Sequence, residues 1–230
     1  MDLERDWLAR ALTGKVAAVP LATTPFGEAI TDLALEQGSR LALGAPPAQF
    51  EAFDAKIDGR EGAHCQHVDL DSPHSLSEFF QIAFAQFERL DVVVLELASP
   101  KRRRATPEKA IEAGTRRLLY CLDAVLPYIG RDLHFICVAP ASGPAAIPIA
   151  TAFLAAKFAT TRKTPAPRIR MSIVSPPEES VAGEVALARA VMHLMKEARS
   201  PDILETVLSP QPRRRRQPRV DARNKMCVQA

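Results

Sequence analysis

From residue 15 onward, short β-rich runs alternate with longer amphipathic stretches, and no other feature of the sequence restricts the fold so strongly. The predicted strands are KVAAVP (15–20), RLALG (40–44), HCQHV (64–68), DVVVLEL (91–97), LHFICVA (133–139) and RIRMSIV (168–174), with ETVL (205–208) as a short closing edge. Predicted helices fall near 26–37, 75–89, 107–128, 148–163 and 181–198. A run such as DVVVLEL lacks the apolar/polar alternation of a half-exposed strand, so both faces of its sheet must be covered. The class is therefore α/β: a doubly wound parallel sheet of six or seven strands with helices on both faces. Asp71 and Ser72 before Pro73 mark one helix start, with proline at an early position where its missing N–H costs nothing. Such sheets bind ligands at the carboxyl ends of their strands, near the point where strand order reverses. Function is expected after strands one, four and five.

The chain has 230 residues, 47% of them hydrophobic and 25% charged, which suits one domain with a full core. It contains no run of about 18 uncharged apolar residues. The N-terminal MDLERDWLAR is too charged for a secretory signal, so a cytoplasmic protein without a membrane segment is expected. Cys65, Cys121, Cys137 and Cys227 show no CxxC spacing and are expected to be reduced, mostly buried thiols. His64 and His67 flank Cys65, but strand alternation sends His64 and Cys65 to opposite faces, and no metal site is expected.

The formal charge of +3 is unevenly spread. Residues 211–230 carry Arg213, Arg214, Arg215, Arg216, Arg219, Arg223 and Lys225 against Asp221, leaving about −3 on the remainder. Prolines 210, 212 and 218 bracket this tail, and it lacks apolar periodicity. The expected division is a folded domain over 1–210 and a basic, disordered tail over 211–230. KRRR (101–104) and RRRR (213–216) read either as solvated charge or as sites for an anionic partner or ligand. The tail has no Phe, Tyr or Trp on which single-stranded bases could stack.

Read in order, LTGKVAAVPLATTPFGEAITDLALEQGSRLALGA, VDLDS, FERLDVVVLELAS, AVLPYI, FLAAKFA and IRMSIVSPP make residues 12–210 resemble the short-chain dehydrogenase/reductase (SDR) superfamily. The resemblance implies a Rossmann-like fold and, in an intact member, an NAD(P)-dependent oxidoreductase. The motifs that carry that chemistry are altered here. Where the family has TGxxxGxG, this chain has PLATTPFG: Pro20, Leu21 and Pro25 replace the Thr and two glycines, and only Gly27 remains. Leu21 is expected to obstruct the phosphate and Pro25 removes an N–H from the anion site. Gly27 also has a purely packing reading. No charged ribose selector follows the second strand, which ends Gly44-Ala45-Pro46-Pro47. Asp69 matches a residue that often touches adenine, though a local capping role is the simpler expectation. The Asn-Asn-Ala-Gly after the fourth strand is replaced by Leu95-Glu96-Leu97-Ala98.

The same resemblance implies a tetrad of Asn, Ser, Tyr and Lys, in which the lysine tunes the tyrosine as general acid. Lys157 matches the lysine, whereas Phe153 stands at the tyrosine, Pro140 at the serine and Gly114 at the asparagine. Phenylalanine has no proton to donate, and loss of a positioned acid costs about 10² to 10⁴ in rate. Ser142 is a displaced alternative hydroxyl, and Lys157 has its own plain reading as a stem-packed surface lysine. The segment after Lys157 is short, and Pro176-Pro177 leads almost directly into the last helix, omitting the family's substrate lid. The helix over 107–128 keeps an apolar stripe of Ile111, Leu118, Leu119, Leu122, Ala124 and Leu126, which serves either core packing or oligomerisation.

The expectation is a pseudoenzyme: no intact catalytic residues, no bound NAD(P), no metal, and a supporting role in a homo- or hetero-oligomer with an active SDR subunit. Two alternatives stand beside it. One is an NAD(P)-dependent ketone/alcohol oxidoreductase with an atypical site. The other is a regulatory or scaffold protein acting through its basic tail.

Overall fold

The computed structural model describes residues 12–97, 107–130, 132–138, 168–174 and 181–196. In chain order these form β1 (Val16–Val19), α1 (Pro25–Glu36), β2 (Arg40–Ala45), α2 (Phe50–Ile57), β3 (Ala63–His67) and α3 (Pro73–Phe87). There follow β4 (Val92–Glu96), α4 (Pro107–Val125), β5 (Asp132–Val138), β6 (Arg168–Val174) and α5 (Val181–Lys196). Single 3₁₀ turns precede α2 at Pro47–Gln49 and follow α4 at Leu126–Tyr128.

Six strands of the described residues make one parallel sheet in the order β3-β2-β1-β4-β5-β6. The order reverses at β1, whose neighbours are β2 and β4, and this places the ligand crevice between the carboxyl ends of β1 and β4. All four residues of β1 and Val92–Leu95 of β4 are buried because helices cover both faces of the sheet. One face is built from α3 and α4 around Leu76, Phe79, Phe80, Leu118, Leu122 and Phe135. The other joins α1, α2 and α5 around Phe26, Ile30, Phe53, Ile136, Val191 and Met195.

The apolar stripe of α4 turns largely inward. Leu118, Leu122 and Ala124 are buried with Cys121 and Val125, while Leu119 and Leu126 are half-buried. Core packing therefore accounts for most of the stripe. Helix α2 was not expected, because it follows Pro46 and Pro47 and only Phe53 and Ile57, one turn apart, are buried. Its first residue, Phe50, stacks on His67 with ring centroids 3.9 Å apart. Cys121 and Cys137 are buried free thiols, and Cys65 is a half-buried one.

The amino-terminal edge is closed by polar anchors. Asp91 accepts a hydrogen bond from the Val16 N–H at 2.8 Å, and Lys15 Nζ donates to the Met195 carbonyl at the end of α5. His134, buried beneath this edge, shares a 2.8 Å hydrogen bond between its Nε2 and Ser172 Oγ. The expected helix over 148–163, the closing strand at 205–208, KRRR (101–104) and the tail at 211–230 lie outside the described residues.

Candidate functional site

The first turn of α1 is built by local chemistry. Thr24 is its N-cap in extended conformation, Pro25 occupies N1, and the Thr24 hydroxyl accepts the Gly27 N–H at 2.9 Å. Glu28 N–H closes the first helical bond to the Thr24 carbonyl at 2.8 Å. The Thr24 hydroxyl then donates to Glu96 Oε2 at 2.7 Å, across the crevice to the end of β4. Its neighbour reaches the opposite way: Thr23 donates to Gln49 Oε1 at 2.6 Å, in the turn that follows β2. Two adjacent threonines thus lace the switch point to both flanking strands.

Glu96 is the unusual charge of the site. Burial pushes its carboxyl up to about 7, the Thr24 hydrogen bond pulls it down, Glu184 on α5 raises it and Arg117 on α4 lowers it. Arg117 is itself held from α4 by Asp71, with Nε donating to Oδ1 at 3.1 Å and a terminal nitrogen to Oδ2 at 2.9 Å. A carboxyl therefore lies beside the N-terminus of α1, at the switch point of the sheet. Glu96 is visible in the sequence only as part of LELA, and its partnership with Thr24, 72 positions away, has no local signal.

Gly27 lies in the first turn of α1, and a Cβ there would meet Leu21 O at 2.5 Å and Ala22 C and Cα at 2.8 Å. The glycine is required by the close approach of helix to chain. Gly44 is equally confined, with Pro20 O at 2.3 Å from an ideal Cβ. Leu21 departs from expectation: it is half-buried and packs against the α3–α4 core, as an isobutyl group does when apolar contact is within reach. The α1 terminus itself is occupied by Pro25 at N1 and by the Thr24–Glu96 hydrogen bond. Asp69 accepts the Asp71 N–H at 2.9 Å, and its own N–H donates to Ser75 Oγ at 3.0 Å, so it shapes the turn into α3. Ser72 caps that helix through the Ser75 N–H at 3.3 Å.

Gly114 lies on α4, where an added Cβ would meet the Leu97 side chain and carbonyl at 3.4 Å. Leu97 thereby fills the place beside the helix that a longer residue would need. Lys157, Phe153, Pro140 and Ser142 lie outside the described residues, so Gly27, Asp69 and Gly114 are the predicted site positions that the structure locates. Among the described residues no group of three or more His, Cys, Asp and Glu could hold a metal ion. None of their helices is long and apolar enough to cross a membrane.

A parallel six-stranded sheet with its switch point at β1 and a helix N-terminus opening on that crevice decides the fold. It is the fold of the short-chain dehydrogenase/reductase superfamily. A short-chain dehydrogenase/reductase of Brucella melitensis, a glucose/ribitol dehydrogenase, superposes with a TM-score of 0.61 at 19% identity, covering 82% of this chain and 92% of that one. A metagenomic short-chain oxidoreductase in complex with NADP gives 0.60 at 24% identity, covering 88% of this chain and 99% of that one. In sequence, an uncharacterized oxidoreductase of Staphylococcus saprophyticus is 25% identical over 169 residues, 70% of this chain and 68% of that protein. No family model matches the chain.

The SDR fold implies a nicotinamide dinucleotide in this crevice, and the residues present do not fit its pyrophosphate. Pro25 supplies no N–H, the Gly27 N–H is taken by Thr24, and the Glu96 carboxyl bound to Thr24 brings negative charge beside the same turn as it ionises.

Proposed function

We propose that this chain is a non-catalytic SDR-fold subunit, descended from oxidoreductases, that no longer uses NAD(P) and supports an active SDR partner in an oligomer. The observation that carries this reading is the pair of threonine bridges, Thr23 to Gln49 and Thr24 to Glu96, which engage both hydroxyls at the α1 terminus within the chain itself. The replacement of the tetrad by Phe153, Pro140 and Gly114 around Lys157 agrees with it, because no hydroxyl remains at those positions for a lysine to tune. The test is calorimetry of the purified protein with NADH and NADPH, followed by carbonyl reduction assays. No heat at millimolar cofactor and no turnover are expected, and copurification from the native host should bring down an intact SDR. Reduction of a carbonyl by the protein alone would end this reading.

A second reading is an NAD(P)-dependent oxidoreductase with an atypical site. It is favoured by the Staphylococcus oxidoreductase relative and by the NADP complex of the metagenomic neighbour. The same assays decide between the two.

A further inference from the structure

The amino-terminal edge of the sheet is the end away from the crevice, and it gathers cations on one face. Arg170 on β6 stands in register with His134 on β5. Both belong to the face covered by α1, α2 and α5, because Ile136, Val138 and Val174, at even steps along the same strands, lie in that core, whereas Ile169 and Met171 pack on the other. Lys15 stands two residues before Ala17 of the same core, and its Nζ donates to the Met195 carbonyl in the last turn of α5. Other cations here are already matched. Arg89 pairs with Asp91, which also accepts the Val16 N–H, and Lys15 meets the negative end of α5. Arg170 is different: it is half-buried, and among the described residues it makes no hydrogen bond or ion pair. Burial does most to hold Lys15 and His134 below their ordinary pKa, and Arg170 pushes both the same way. His134 beside it is 5% exposed, with Nε2 bound to Ser172. The Leu194 backbone approaches the ring without closing a hydrogen bond to Nδ1.

We propose that Arg170, flanked by Lys15 and Arg89, is a binding site for a phosphate group, either the free ion or a small phosphate monoester, at the amino-terminal edge of the sheet. Three cations share this edge with one carboxylate, Asp91, so a doubly charged anion is matched better than a singly charged one. The guanidinium of Arg170 presents its donors as a planar fork that a phosphate accepts in pairs. Its partial burial limits the screening of that contact by water and salt. A bound phosphate also relieves the repulsion between Arg170 and Lys15, which no described side chain does for Arg170. The site shares no residue with the crevice and does not depend on what the crevice holds.

The experiment is a nuclear magnetic resonance titration of the full ¹⁵N-labelled chain at constant ionic strength, reading the backbone amides of Arg170, Met171 and Lys196. Inorganic phosphate, phenyl phosphate and acetate are the probes. The two phosphates should move these amides along a saturable curve, and acetate should not. A response to inorganic phosphate as strong as to phenyl phosphate identifies the free ion as sufficient, and a response to phenyl phosphate alone identifies an ester. Arg170→Gln should weaken binding about tenfold or more, the loss of a charge-assisted pair. Arg170→Lys keeps the charge without the fork and should fall between, and it serves as the comparison if the glutamine variant does not fold. Arg213→Gln, in the arginine-rich tail, should leave the affinity at these amides unchanged. A linear, unsaturated drift in the wild-type chain would overturn the proposal. So would a saturable response that Arg170→Gln and Arg170→Lys leave intact, or one that acetate reproduces. None of these results bears on the non-catalytic reading, which the cofactor and turnover assays test separately.

Discussion

Gly27 shows how a residue kept for packing can resemble one kept for binding. Its missing side chain is demanded by the Leu21 carbonyl and the Ala22 backbone, atoms that cannot swing aside as a flexible side chain would. Gly27→Ala should therefore lower stability by about 1–3 kcal/mol, read from the shift in urea midpoint at constant slope. An unchanged midpoint would mean that α1 slides at little cost. Asp69 carries the same lesson with a polar side chain, since its hydrogen bond to the Asp71 N–H is spent within three residues of chain. Both roles could be read as alternatives from the sequence, because a glycine at a strand-to-helix turn and an acid before a helix each have a local use. The partner of Glu96 could not, since it lies on another strand-to-helix turn.

At the scale of elements, caps were the most legible feature. Ser72-Pro73 starts α3 as its residue types require, and Thr24-Pro25 starts α1 by the same device. The other end of α3 is less well served. Glu88 terminates it at φ 61°, a left-handed conformation that costs a residue with a Cβ about 1–2 kcal/mol. Glu88 is exposed, so Glu88→Gly should raise stability by about 1 kcal/mol, seen as a higher thermal midpoint. A lower midpoint would show that the glutamate side chain contributes more than its backbone loses. Helix α2 escaped prediction for a related reason. Eight residues offer one buried pair at helical spacing, too little periodicity to separate a helix from a loop that follows two prolines.

For the molecule as a whole, Glu96 and His134, at opposite ends of the adjacent strands β4 and β5, make opposing contributions to the response to pH. The Glu96 carboxyl is raised by burial from 4.5 to about 7, so across that interval the folded state holds a proton that the unfolded state has lost, and stability falls as pH rises. His134 is lowered by burial, with Arg170 and Lys15 adding to the effect, from 6.5 to about 3. Across its interval the unfolded state binds the extra proton, and stability falls as pH drops. Between pH 4.5 and 6.5 the two contributions oppose one another, and stability should be nearly flat with respect to this pair. Removing either group exposes the other. Glu96→Gln should gain stability with rising pH in that window by about 1.4 kcal/mol per unit, and His134→Asn should lose it at a similar rate. Urea titrations at pH 4.5, 5.5 and 6.5 measure both slopes, and parallel curves for the three proteins would refute the assignment. The comparison with solved SDR structures belongs to this scale too, since at 19–24% identity the similarity is one of fold.

The alternation of apolar strand runs with amphipathic helices was sufficient, within the sequence, to specify a parallel sheet covered on both faces. Strand runs such as DVVVLEL and LHFICVA can satisfy their apolar side chains only inside such a sheet. Residue types alone also stated which donors were missing at the first turn, because Pro25 has no N–H whatever surrounds it. Tertiary structure decided what replaced them. Thr24 meets Glu96, Thr23 meets Gln49 and Leu21 joins the α3–α4 core only after β1 is inserted between β2 and β4. The raised carboxyl of Glu96 is likewise a property of that assembly, since desolvation arises from neighbours contributed by distant parts of the chain.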